Sequence, residues 1–202
     1  GKESNDKNIP SEIKNLFENA QIRIPGSDGN TLIEDRLEKI FSESGFPHGV
    51  MNFRSPCFIP GKASMTVDGH RFVLYQMHPS VLRPANFSEK SFECDVVYLG
   101  KGTIGDLAQV NGKKLDGVIA VMEMDCESDW YDLMRFGIKG FIFLEKENIF
   151  PEDAINKVPT GEARVPRYYI VGDDVIRLRN MLKKTGLNLK GKFETEPSRW
   201  EN

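Results

Sequence analysis

Hydrophobic and polar positions change rhythm partway along this chain. Up to residue 45 the apolar residues recur at helical spacing. Ile13, Leu16 and Phe17 share one face of a short helix predicted over Ser11–Ala20, with Ser11 as its N-cap. Leu32, Ile33, Leu37, Ile40 and Phe41 form the stripe of a second helix starting near Asn30. Thr31 and Glu34 have capping-box spacing there, and Gly45 is its stop. Between the two, Arg23-Ile24-Pro25-Gly26-Ser27-Asp28-Gly29 cannot be helical throughout, because Pro25 biases Ile24 away from helical angles.

Beyond residue 46 the texture becomes that of strands. Pro47, Pro56 and Pro60 break any helix. Met65-Thr66-Val67, then Asp68-Gly69, then Arg71 to Met77 predict a β-hairpin, since Asp-Gly is a strong two-residue turn signal. Residues 78–93 read as a long loop, Cys94 to Leu99 as a strand, Gly100 to Lys114 as a loop and Val118 to Met122 as a buried strand. Ser128 caps a short predicted helix carrying Trp130, Tyr131, Leu133 and Met134 and ending at Gly137. Gly140 to Leu144 is a further apolar strand, 145–165 a polar loop and Arg167 to Val171 a strand. Asp173 is expected to cap a helix through Lys184, with Val175, Ile176, Leu178, Met181 and Leu182 inward and Gly186 closing it. Lys183 and Lys184 suit the negative end of its dipole. Leu187 to Phe193 is the last strand expected. The order predicts a mixed α/β (α+β) fold in which strands dominate after residue 60.

Composition narrows the class. The chain has 202 residues, 39% of them hydrophobic, and a net charge of −3. That is an ordinary globular composition, and the mild acidity leaves no electrostatic footprint for nucleic acid. No apolar run approaches the ~20 residues of a membrane span. Gly1 reads as a cloning remnant and Lys2 to Asn8 as solvated linker. Cys57, Cys94 and Cys126 are widely spaced without a CxxC pair, which excludes a zinc knuckle. One disulfide with one free thiol and three buried free thiols are the two readings, the second being the plainer.

Catalytic patterns are missing. No HExxH, nucleophile elbow, P-loop or dinucleotide fingerprint occurs. His70 and His78 could approach each other across a strand and a loop, yet loop histidines are the simpler reading. Cys126 lies ahead of a helix start, where a thiolate would be stabilised, but Asp125 and Glu127 oppose its ionisation. Asn86-Phe87-Ser88 matches a glycosylation triplet, a pattern that arises often by chance. A binding surface, if there is one, is expected on the 78–93 loop through His78, Arg83, Phe87 and Phe92; alternatively Phe87 and Phe92 pin that loop onto the strands.

One stretch is specific enough for a resemblance. Asn111-Gly112-Lys113-Lys114-Leu115-Asp116-Gly117-Val118-Ile119-Ala120-Val121, then Ser128 to Phe143, then the upstream Asp95-Val96-Val97-Tyr98-Leu99-Gly100, together resemble the protease-associated (PA) domain. In that resemblance Gly117, Trp130, Gly137 and Gly140 are structural positions: Trp130 anchors the helix, Gly137 caps it and Gly140 lets helix and strand approach. The segment Arg23-Ile24-Pro25-Gly26-Ser27-x-Gly29 with the helix to Gly45 resembles the opening of M28-type zinc aminopeptidases. The resemblance implies a PA-type open β-barrel or sandwich with flanking helices. The expected organisation is a linker over 1–10, an N-terminal helical segment over 11–46, the PA domain over 47–193 and a tail over 194–202.

The same resemblance implies a role beside a zinc site that this chain does not carry, so no metal ligand, catalytic residue or cofactor is assigned here. The expected function is a non-catalytic lid or peptide- or protein-binding module, in an extracytoplasmic protein. Its partners would be a peptide or protein ligand and its own catalytic domain in a longer chain. The apolar faces within 11–45 would pack on that domain, or form dimer contacts when it is absent. The alternatives are a stand-alone binding module and an unrecognised enzyme using Cys126 or the histidines.

Overall fold

The computed structural model describes residues 14–15, 28–45, 47–51, 54, 56–79, 84–110, 114–126, 129–147, 157 and 163–201. The expected linker at 1–10, most of the helix at 11–20, the turn at 23–27, the Ser128 cap and Arg83 fall outside them. The described residues divide into two units: those up to Cys57 with Trp200 and Glu201, and Phe58–Arg199.

In the first unit, helix α1 spans Asp28–Ser44 and ends at Gly45 with φ +70°. It starts two residues before the expected point. Thr31 therefore lies inside the helix rather than at its cap, and Asn30 Nδ2 donates to Glu34 Oε1 at 2.6 Å instead. Its stripe is present but not covered: Leu32, Leu37, Ile40 and Phe41 are each more than two-fifths exposed.

The second unit is a closed seven-stranded barrel with flanking helices, a mixed α/β fold. Its strands are β2 (Ala63–Val67), β3 (His70–Gln76), β4 (Ser91–Tyr98), β5 (Ile119–Glu123), β6 (Gly140–Leu144), β7 (Arg167–Ile170) and β8 (Asn188–Thr195). The order round the barrel is β2-β3-β7-β6-β5-β4-β8, and β8 pairs back onto β2. That last pairing closes what the sequence led one to expect as an open barrel or sandwich. The eight-residue β8 spans both β4 and β2, so neither is left as a free edge.

Strands β4 to β7 run parallel, and the hairpin and β8 run antiparallel to their neighbours. The Asp68-Gly69 turn has φ of 47° and 80°, the two positive values that a tight hairpin with right-handed twist requires. Central strands β5 and β6 are apolar on both faces, as parallel strands covered on both sides must be. Ile119, Val121, Ile142 and Leu144 join one cluster with Phe72, Tyr168 and Phe193. Ala120, Met122, Phe141 and Phe143 join the other around Trp130.

Helix α2 (Ile104–Gln109) stands where a loop was expected. Thr103 and Asp106 form a reciprocal capping box, and Asp106 also accepts from Lys101 N. The spacing of Thr103 and Asp106 was its signal; an apolar stripe to match it is missing in so short a helix. Helix α3 (Asp129–Leu133) continues into a 3-10 turn, Met134–Phe136, that ends at Gly137. Helix α4 (Asp173–Lys184) starts from Gly172 at φ +64° without a side-chain cap, so Asp173 lies in its first turn rather than at its cap. Val175, Leu178 and Leu182 are inward as expected, but Ile176 is 58% exposed, because a residue one position from Val175 lies about 100° round the helix. The segment expected as a polar tail contains the end of β8 and β9 (Arg199–Glu201), which pairs with β1 (Cys57–Ile59) as a two-stranded sheet.

Candidate functional site

Of the residues expected on the 78–93 loop, Phe92 and Phe87 turn toward the barrel core. Phe92 is a buried core residue stacked on Phe193, with centroids 5.0 Å apart. Phe87 stacks on Tyr168 at 5.9 Å and packs against Phe92 at 4.8 Å. Both rings pin the loop to the barrel interior. His78 donates through Nδ1 to Pro79 O at 2.9 Å, and its ring lies 5.3 Å from that of Phe58. Arg83 is outside the described residues. Asn86 ties the loop to the far end of the chain: Oδ1 accepts from Ser198 N and Oγ, and Nδ2 donates to Ser198 O at 3.1 Å. The amide nitrogen of this triplet is thus engaged in structure.

The four positions of the PA resemblance are structural. Trp130 is fully buried, edge-on to Phe141 and Phe143. Gly137 has φ +79° and donates to Met134 O, closing the 3-10 turn. Gly117 has φ +79° and donates to Gly137 O at 2.8 Å. Gly140 permits a close approach, though not of a helix to a strand. A Cβ there would meet Phe87 Cζ at 2.9 Å and Ile119 Cδ1 at 3.2 Å. Its small size makes room for the loop phenylalanine.

Arg167 holds the surrounding loops from inside. It is 4% exposed, donates to Lys157 O and to His78 O, and lies over the Trp130 ring. Burial pulls its guanidinium down to about 10, and carbonyl acceptors with an aromatic face stabilise the charge that remains.

A set of ionisable groups gathers at the carboxyl ends of the parallel strands. Glu123 closes β5, Tyr98 closes β4 and Arg179 comes from α4. Arg179 reaches Glu123 through Nε–Oε1 at 3.0 Å and Nη2–Oε2 at 2.7 Å, and Tyr98 OH donates to Oε1. Burial and the bond to Glu123 hold the Tyr98 hydroxyl well above its usual range. Beside them, Asp125 Oδ2 accepts from Lys101 and Lys146, both at 2.8 Å. Burial alone would raise the Asp125 carboxyl, but the two ammonium groups outweigh it and hold it low.

All three cysteines are free thiols. Burial pushes Cys126 up to about 11 against the opposing influence of Lys157, so its place before a helix does not make it a thiolate. His70 and His78 do not meet; His70 Nε2 lies 2.9 Å from Asp174 Oδ1, and His48 is bonded to Ser42 Oγ. Among the described residues no group of three His, Cys, Asp or Glu side chains could hold a metal ion, and no helix is long and apolar enough to cross a membrane.

A groove of about 570 Å³ lies over the outer face of β2, β3 and β8, with exposed Val73 and Tyr75 and half-buried Tyr169 along one wall. Sequence reasoning missed it; the alternation Arg71, Val73, Tyr75 opposite inward Phe72 and Leu74 was its signal.

No protein-family model matches the sequence, and no curated protein matches it. Solved structures do. An aminopeptidase from Aneurinibacillus sp. strain AM-1 aligns over 93% of this chain and 45% of its own, at 17% identity and a TM-score of 0.51. A peptidase M28 precursor from Shewanella amazonensis SB2B aligns over 94% of this chain and 46% of its own, at 16% identity and a TM-score of 0.52. At these identities the likeness is one of fold. The chain spans less than half the length of either protein.

Proposed function

We propose that this chain is a PA-type accessory module, preceded by an M28-like helical segment, that belongs beside a metallopeptidase centre and contributes a peptide- or protein-contacting wall to it. The observation that carries this reading is the span of the fold likeness. The alignments cover 93–94% of this chain and under half of each of two peptidase chains. The half-exposed stripe of α1 is the face that a further domain would cover. The described residues do not fit a zinc centre: His48, His70 and His78 are engaged with Ser42, Asp174 and Pro79, on separate elements. No chemical step in this chain is therefore routed through a metal. An extracytoplasmic location is part of this proposal.

The test is a peptidase assay of the 202-residue chain with added zinc or cobalt, using a panel of aminoacyl reporter substrates, together with metal analysis of the same sample. The reading expects no turnover and no stoichiometric metal. Metal-dependent turnover would overturn it.

A stand-alone peptide-binding module is the second reading. The open groove over β2, β3 and β8 favours it, because that groove needs no other domain to be complete.

A further inference from the structure

Strand β3 is paired unequally on its two sides. β2 matches it from His70 to Leu74, whereas β7 matches it only at Tyr75 and Gln76, and Met77 N donates to Arg167 O one step further on. The alternation of an antiparallel ladder fixes where the spare backbone groups point. The bond from Met77 makes Met77, Tyr75, Val73 and Arg71 the residues whose N–H and C=O face the β7 side. The hairpin agrees. Its two-residue turn at Asp68-Gly69 leaves Val67 and His70 as a bonded pair, so His70, Phe72 and Leu74 face β2. The N–H and C=O of Arg71 and Val73 meet no backbone partner among the described residues.

β7 stops short because Gly172, at φ +64°, turns the chain into α4. Continued in register, Val171 would stand opposite Val73 and Asp174 opposite His70. Asp174 does reach His70, but through side chains, Oδ1 to Nε2 at 2.9 Å. The gap is therefore bounded by the Tyr75–Tyr169 pair at one end and by His70–Asp174 at the other, ~17 Å apart along the strand. Arg71 and Val73 are exposed beside it, and a Cβ on Gly172 would meet nothing within 4 Å.

These features select an occupant. Unpaired N–H and C=O groups in a row on a strand are matched by another extended backbone. The two closed ends limit that backbone to about three paired residues. A second copy's β3 is bounded in the same way, which disfavours edge-to-edge pairing of two chains. On the inner face Phe72 is 0% and Leu74 3% exposed, so a residue placed between them and β7 has to be small. On the outer face Val73 is 48% exposed and offers apolar contact.

We propose that the gap between β3 and β7 takes a short extended peptide stretch by strand addition, antiparallel to β3. The ligand residues opposite Val73 and Arg71 exchange both backbone bonds with them, and the one between is small and faces inward beside Phe72. An apolar side chain suits the position opposite Val73. The ligand class rests on the peptide-contacting role above, but the test needs neither turnover nor metal, so the two fail separately.

The test is amide hydrogen exchange and NMR titration of the ¹⁵N-labelled 202-residue chain with acetyl-Thr-Val-Ala-Val-Thr-amide. In the free chain the amides of Arg71 and Val73 are expected to exchange fast and those of Phe72 and Leu74 slowly. The peptide is expected to slow exchange at Arg71 and Val73 saturably. The same peptide with both valine nitrogens methylated is expected to bind at least about tenfold more weakly, since it lacks the N–H groups that reach β3. Val73→Pro removes an N–H that the β2 ladder does not use and is expected to weaken binding similarly; the methylated peptide probes the same edge on the unaltered chain. Protection of Arg71 and Val73 equal to that of Phe72 and Leu74 in the free chain would overturn the proposal. So would no saturable change at millimolar peptide, equal binding of the methylated peptide, or protection that rises with protein concentration alone, which would assign the edge to a second copy.

Discussion

Arg179 on helix α4 grips Glu123 at the end of β5 through two parallel hydrogen bonds, of 3.0 and 2.7 Å. The residues are 56 positions apart in the chain. Their pairing fastens the last long helix to the carboxyl end of the parallel sheet, and Tyr98 adds a third bond from β4. With 16% of Glu123 and 28% of Arg179 exposed, water screens the pair only in part. Charge-assisted bonds in such a setting contribute about 1.5–3 kcal/mol. Arg179→Ala is expected to lower the unfolding free energy measured in urea by that order, and Arg179→Lys, which loses the two-pronged geometry, to recover only part of it.

The same cluster sets an alkaline limit. The folded Tyr98 hydroxyl titrates above its unfolded value near 10. A group raised in this way contributes stability that is complete below the unfolded value and is lost as pH climbs toward the folded one. Tyr168, pushed up to about 12 by burial, acts in the same window. Stability is therefore expected to fall above about pH 10. Tyr98→Phe should flatten part of that fall at a cost of about 1 kcal/mol near neutrality, as read from denaturation midpoints across pH.

Asp125 works at the other end of the scale. Its carboxyl is held below the ordinary value of 3.8 by Lys101 and Lys146. A depressed acid contributes stability that is present above its unfolded value and lost as pH falls through the folded one. Asp125→Asn should weaken the acid dependence below pH 3.8. Both lysines are more than half exposed, so added salt should shrink the difference between variant and parent.

Gly140 and Phe87 compete for one space. Gly140→Ala places a methyl carbon 2.9 Å from the Phe87 ring and is expected to cost about 1–3 kcal/mol through overpacking. Adding Phe87→Leu, which vacates that space, should make the double variant more stable than the two separate losses predict. A double-mutant cycle of thermal or urea unfolding measures the coupling. Additive losses would show that the loop ring is not what Gly140 accommodates.

Thiol labelling checks the core around Trp130. Cys126 is 2% exposed with its thiol at about 11, whereas Cys57 and Cys94 are half-buried. The native protein is expected to leave Cys126 unlabelled by a disulfide reagent at neutral pH. Unfolding in denaturant should release all three thiols without reduction.

Local pattern determined a great deal. The strands around Phe72, Val96, Val121, Phe141, Tyr168 and Phe193 follow from alternation or from short apolar runs, and the hairpin follows from Asp68-Gly69, which only certain backbone angles can accommodate. Helix α4 is legible from Val175, Leu178 and Leu182, which recur with the helical period. These are short-range signals, and each is complete within a dozen residues. What the local pattern left open depends on long-range partners. Phe87 and Phe92 admit two readings, facing a ligand or pinning the loop, until β8 brings Phe193 against them. Glu123 looks like a strand end until α4 brings Arg179 to it. Closure of the barrel is a matter of β8 being long enough to pair with both β4 and β2, a register that no single segment encodes. The stack of Tyr75 on Tyr169 likewise exists only because β3 and β7 are neighbours, and their separation in sequence hides the two rings from each other until the chain has folded.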